Sequence, residues 1–431
     1  MNDVAALHSM SAASVEMPAG TGKTQLLARL AHHESQDGRV LILTHTHSGI
    51  DAIRRRLRSM QAPAGKTWVC TIDGWALRVA RAYPSIAGVR LPVEPDWRQT
   101  RTYHAAAVNV LKSGVLQRTL AESYSRVLVD EYQDCQTWQH ETISATTINL
   151  PVIVFGDPLQ GLLTFGDCDP VVWGTVEAAF PRYEPQIHPW RWETSNPVLG
   201  QWLLDARTDL KSGRRPSLAG APVTVRKPSE ITEACASLPP TDHTVVITAW
   251  PSDAKTVAQE LRGRFTMIEP VDAGDLMQLA DAIDRGTGPA LISQMRNFVE
   301  SCLAAPRPQV SSDMLNALLR KPTAATALTH LQALSRIPSV RVCRREAWTE
   351  MQRALRLAVN DGIAVHRAVF VIRDQLRESG RKPERRIVGR PLLVKGLEFD
   401  HAVVALPSDS TAEQWYVSMT RGSKSLTVVE P

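Results

Sequence analysis

The sequence predicts an α/β protein built from two doubly wound parallel-sheet domains with helical insertions. Three observations carry that prediction. Short β-branched, apolar runs alternate with amphipathic stretches through the first part of the chain. The same alternation returns after residue 188, and a long stretch of helical periodicity interrupts it.

The strand-like runs of the first part are residues 39–44, 67–72, 126–130 and 151–155, each apolar nearly throughout. Such runs suit strands covered on both faces, as in a parallel sheet. Residues 23–33 and 48–60 space their apolar positions three and four apart and read as helices. The expected first domain is 1–188, with a small helical insertion at about 76–125. The expected second domain comprises 189–272 and 386–431, with strands at 244–248, 386–393, 400–406 and 425–429 and a helix at 252–262. Residues 273–385 read as a mostly helical insertion into it. No internal repeat is apparent.

The 431 residues suffice for two or three cores, and 43% hydrophobic with 22% charged residues is ordinary for a globular chain. No apolar run reaches the roughly 18 residues needed to span a bilayer, and the first residues do not resemble a signal peptide. The cytoplasm is therefore the expected compartment, with no membrane partner. Six scattered cysteines without a Cys-x-x-Cys pair argue against a zinc site and a disulfide framework. A net charge of +5 permits a polyanionic partner, and Arg54, Arg55, Arg56 and Arg58 form a local basic cluster.

Two segments carry chemistry. Ala19-Gly20-Thr21-Gly22-Lys23-Thr24 reads as a phosphate loop, although Met17 stands where the Gly-x-x-x-x-Gly-Lys-Thr pattern opens with glycine. Its glycines let backbone N–H groups turn toward phosphate oxygens, Lys23 would reach the β- and γ-phosphates, and Thr24 would ligate magnesium. The apolar run 126–129 ends in Asp130-Glu131. Asp130 there suits a metal ligand, and Glu131 suits the group that orients or deprotonates an attacking water. ATP and Mg2+ are thus the expected substrate and ion.

The string Asp130-Glu131-Tyr132-Gln133-Asp134 resembles the second motif of the UvrD/Rep-like branch of superfamily 1 helicases, and further motifs follow in order. The segment 41–50, with Thr44, His45 and Thr46, is similar to a single-strand-binding motif of that family, and Thr71 to Trp75 sits where the next is expected. Residues 154–165 resemble the Gly-Asp-x-x-Gln motif, which makes Gln160 the γ-phosphate sensor and Phe165 a base-stacking ring. Trp190-Arg191 resembles the Asn-Tyr-Arg segment, implying adenine stacking by Trp190 and a γ-phosphate contact by Arg191. Residues 394–400 match the Lys-Gly-Leu-Glu-Phe motif, with Glu398 toward the ribose, and Arg421 takes the place of a second arginine finger. Arg390 falls near the fifth motif.

The resemblance implies two RecA-like motor domains and an ATP-dependent helicase or translocase moving 3′ to 5′ on single-stranded or partly duplex DNA. It places Arg191 and Arg421 on the second domain, facing Lys23 and Glu131 across a cleft. The insertions are shorter than in typical relatives, which keeps a second reading open: a nucleotide-switch or DNA-sensing subunit regulating a partner such as a nuclease, in the manner of antiphage systems. A replication or repair factor is a further possible partner. The rings of Trp75 and Phe165 suit core packing as well as stacking, while Trp192, Trp202 and Trp250 read as packing residues.

Overall fold

The computed structural model describes residues 3–92, 95–162, 169–268, 274–286, 288–306, 312–379 and 384–430, without the side chains of 312–315 and 376–379. The chain forms two compact units, Met1–Pro216 and Ser217–Pro431.

The first unit holds a six-stranded sheet of β1 (Ala12–Glu16), β2 (Val40–Thr44), β3 (Thr67–Thr71), β4 (Arg126–Val129), β5 (Val152–Gly156) and β6 (Arg182–Tyr183). Its order is β3-β2-β4-β5-β1-β6, and every pairing is parallel. β2, β4 and β5 are buried along their whole length, which explains why they read as unbroken apolar runs. β1 is less apolar (Ala-Ala-Ser-Val-Glu) and was not evident from the sequence, yet it pairs residue for residue with β5.

Two cores cover the faces of this sheet. One gathers Leu26, Leu27 and Leu30 from the helix Lys23–Glu34, Ile53 and Leu57 from the helix His47–Ser59, and Ile42, Leu128 and Ile153 from the strands. The other joins Leu41, Val127 and Val154 to the helices Ile72–Ala82 and Thr100–Lys112 and to Tyr132 and Phe180. The short insertion therefore packs on the sheet rather than standing apart from it.

The second unit contains β7 (Thr224–Arg226), β8 (Thr244–Thr248), β9 (Thr266–Met267), β10 (Arg386–Gly389), β11 (Phe399–Ala405) and β12 (Gly422–Val429), in the order β7-β12-β11-β8-β10-β9 and again parallel. The run predicted at 386–393 stops as a strand at Gly389, because Pro391 cannot donate to a ladder and instead opens the short helix Pro391–Val394. Between β9 and β10 the described residues are mainly helical, with a core of their own that includes Leu279, Phe298, Leu331, Trp348, Leu355 and Val369. Phe298 and Trp348 stack there with ring centroids 6.0 Å apart. No helix among the described residues is long and apolar enough to cross a membrane.

Candidate nucleotide site

The site is built at the carboxyl ends of β1, β4 and β5, where doubly wound sheets bind ligands. β1 leads into the loop before the helix Lys23–Glu34. Gly20 and Gly22 both adopt left-handed backbone, φ +72° and +91°, which glycine takes without steric cost. Met17 needs no such freedom: its side chain is buried in the core and its amide donates to Gly156 O at 3.0 Å. Thr21 turns its hydroxyl back onto Pro18 O at 2.7 Å, closing the loop. The helix that follows starts at Gly22 without a side-chain cap, so its first amides remain suited to an anion.

Lys23, Thr24, Asp130 and Glu131 come together. The Lys23 ammonium donates to Asp130 Oδ1 at 3.1 Å and lies 2.6 Å from Glu131 Oε1. The Thr24 hydroxyl is 3.4 Å from Asp130 Oδ2. Burial by itself would lower the Lys23 amine, but the two carboxylates outweigh it and hold the group protonated above the usual lysine range. Burial pushes the Asp130 carboxyl up; the close contacts nonetheless favour the ion pair, a charged lysine facing two carboxylates. Glu131 sits at φ +56°, a strained conformation for a side-chain-bearing residue.

Among the described residues no cluster of three or more His, Cys, Asp or Glu could cage a metal. The donor set fits magnesium all the same. That ion favours one or two carboxylates, a hydroxyl and phosphate oxygens over an all-protein cage, and Thr24 and Asp130 supply the protein share.

Several supporting contacts, above all those of Glu16, Arg207 and Lys211, were not apparent from the sequence. Gln133 donates from Nε2 to Glu131 Oε2 at 2.5 Å, and its Oε1 accepts from the Asp157 amide at 3.0 Å. Asp157 is fully buried and accepts from Gln160 Nε2 at 2.8 Å. Its other oxygen lies 2.6 Å from a nitrogen of Arg207. Arg207 also donates to Glu16 at the end of β1, at 2.5 Å. Lys211 pairs with the same Glu16. The Glu16 carboxyl, which burial would raise, is held below the usual carboxylate range by Lys211 and Arg207.

The segment after residue 188 begins beside the loop. The Arg191 amide donates to Gly20 O at 3.0 Å. A Cβ added at Gly20 would lie 2.5 Å from the Trp192 ring, so Trp192, itself buried, closes over the loop. Trp190 is 58% exposed and flanks Gly22. Arg191 and Trp190 therefore belong to the first compact unit, which extends to Pro216, whereas the sequence reading opened the second domain at 189.

The expected nucleic-acid residues separate into groups. Thr46 and Thr71 each cap a helix by accepting the amide of a glycine, Gly49 and Gly74, at 3.1 Å. Thr44 is buried, and His45 Nε2 lies 3.6 Å from Cys135 Sγ. Trp75, 3% exposed, packs edge-on against Tyr124 at 6.1 Å inside the core. That packing fits the core role that stands beside the stacking role for this residue. Phe165 lies outside the described residues. Trp250, expected to pack, is instead 61% exposed.

In the second unit Arg390 is the residue before the helix Pro391–Val394, and Glu398 is exposed. Arg421 is 1% exposed and donates to Val417 O at 2.7 Å, Leu397 O at 3.1 Å and Thr420 Oγ1 at 2.8 Å. Its guanidinium is thus engaged with that unit's own carbonyls and hydroxyl.

Residues 4–166 match the family model of an AAA domain. No curated protein matches the chain. Among solved structures, the chain is similar to the Arterivirus nonstructural protein 10 helicase in complex with DNA (11% identity, TM-score 0.40, 100% of this chain and 62% of that one). It is similar also to the PRRSV helicase (12%, 0.37, 99% and 54%) and to the Pif1 helicase from Candida albicans (10%, 0.43, 100% and 93%). The chain thus spans less than two thirds of the two viral proteins. At this identity the functional reading rests on the chain's own residues.

Proposed function

We propose that the protein is an ATP hydrolase of the superfamily 1 helicase type, and that it couples hydrolysis to movement on nucleic acid. The observation that carries the proposal is the meeting of Lys23, Thr24, Asp130 and Glu131 below a loop with two left-handed glycines. Loop amides and Lys23 bind the β- and γ-phosphates. Thr24 and Asp130 would hold magnesium, which would supply neutralisation of phosphate charge. Glu131 accepts a proton from water as its oxygen bonds to the γ-phosphorus. The bond to the bridging oxygen breaks, and ADP leaves with that electron pair. Charge on the transferring phosphoryl group is met by Lys23, with Gln160 as sensor and Arg191 as an arginine contribution. Trp190 offers an exposed ring for adenine.

The finer assignment is a UvrD/Rep-type motor moving 3′ to 5′ on single-stranded DNA, with Thr44, His45, Thr46, Thr71 and Arg390 along the strand. The burial of Trp75 favours keeping a second reading, a nucleotide switch that senses DNA and regulates a partner, since it removes one stacking platform from the track. ATP hydrolysis with and without single-stranded DNA tests the proposal, in the wild type, Lys23→Ala and Glu131→Gln. A wild type no faster than Glu131→Gln ends the hydrolase reading. DNA-stimulated hydrolysis without strand displacement selects the switch.

A further inference from the structure

Arg207 has no place in the chemistry above, and none of the sequence motifs contains it. It lies on the helix Pro197–Lys211 and is buried. A buried guanidinium is costly unless it is matched, and here it spans two carboxylates from different strand ends. One is Asp157 after β5, at 2.6 Å, and the other is Glu16 at the end of β1, at 2.5 Å. Asp157 in turn receives the Gln160 side chain at 2.8 Å, and its amide donates to Gln133, which holds Glu131. The chain of contacts therefore runs from the foot of the phosphate loop, through Arg207 and Asp157, to the sensor glutamine and the water-activating carboxylate.

We propose that Arg207 is a positioning residue for ATP hydrolysis: by pinning Asp157 to Glu16 it fixes Gln160 and, through Gln133, Glu131, relative to the loop that binds the phosphates. The inference rests on the hydrolase reading. Arg207 itself touches no reacting atom. A lysine can keep one of its two contacts, whereas a glutamine leaves both carboxylates without a cation from this position.

The test uses the full chain with Arg207→Lys, Arg207→Gln, Asp157→Asn and the Asp157→Asn/Arg207→Gln double variant. Three quantities are read: kcat and KM for ATP, affinity for a fluorescent ADP analogue, and backbone hydrogen exchange at residues 157–161 without nucleotide. Arg207→Gln is expected to lower kcat by up to roughly 100-fold, to leave ADP affinity unchanged, and to speed exchange at 157–161. Arg207→Lys should recover part of both effects. The double variant should lose less than the product of the two single losses, because both break the Arg207–Asp157 pair. Unchanged kcat in Arg207→Gln overturns the proposal, as do losses that multiply in the double variant. Should Arg207→Gln not fold, Asp157→Asn with wild-type kcat and exchange overturns it equally. A wild type no faster than Glu131→Gln would end the hydrolase reading alone; exchange at 157–161 would still decide whether Arg207 orders that segment.

Discussion

Gly20→Ala isolates the fit of the phosphate loop against Trp192. The new Cβ would stand 2.5 Å from Cζ3 and 2.8 Å from Cη2 of Trp192, and 2.9 Å from Arg191 Cβ, at a backbone φ of +72°. Left-handed backbone costs an L-residue roughly 1–2 kcal/mol, and forcing a methyl into a filled site costs roughly 1–3 kcal/mol more. The sum, about 2–5 kcal/mol, is a large share of the roughly 5–15 kcal/mol that stabilises a typical domain. Gly22→Ala makes the comparison: its φ is +91°, but the nearest atom is Trp190 Cδ1 at 3.2 Å, on an exposed side chain that can turn away. It should therefore cost only the backbone share, about 1–2 kcal/mol. Urea unfolding followed by circular dichroism measures both. Repeating Gly20→Ala in a Trp192→Phe background should shrink its cost without removing it, since the backbone strain and Arg191 Cβ remain. A Gly20→Ala protein within about 0.5 kcal/mol of wild type, or a cost indifferent to the ring at 192, would refute the reasoning.

Trp75→Ala should destabilise the first unit by about 3–5 kcal/mol, as loss of a core aromatic does, while any DNA stimulation of hydrolysis persists in the folded fraction; unfolding curves and DNA-titrated ATPase rates check this. Asp73 accepts from His104 at 2.9 Å and from Gln139 at 2.7 Å. Burial would raise its carboxyl, but these bonds, with the charges of His104 and then His45, pull it below the usual range. A depressed folded pKa adds stability above the ordinary carboxylate value and loses it as pH falls, so the wild-type advantage over Asp73→Asn should be full near pH 7 and shrink below about pH 4. Urea unfolding of both proteins across that range gives the answer. Chelating magnesium with EDTA should abolish hydrolysis and leave the unfolding curve in place, because among the described residues no group of three or more His, Cys, Asp or Glu could hold a metal; a shifted midpoint would contradict that.

Most of the sheet framework was legible. Strands such as β2, β4 and β5 are covered on both faces and so announce themselves as apolar runs. β1 and the two-residue β6 were not, because one carries a buried serine among alanines and the other is too short to show a pattern. Trp75 and Trp250 illustrate the same limit. Both are tryptophans on or beside helices, and only the packing around them makes one core and the other surface.

The sequence by itself determined the local chemistry: a loop whose glycines permit left-handed backbone, a lysine opening a helix, and two acids closing a buried strand. Those features depend on neighbours in the chain, so they can be read in order. The tertiary structure alone decided that Glu131 is held by Gln133, that Asp157 links Gln160 to Arg207, and that Trp192 closes over Gly20. The Asp157–Arg207 and Trp192–Gly20 contacts join residues far apart in sequence, and Gln133 holds its near neighbour Glu131 while accepting from the distant Asp157 amide. Charge pairing and close packing depend on distance in space, and the parallel sheet is what brings the ends of β1, β4 and β5 to one edge.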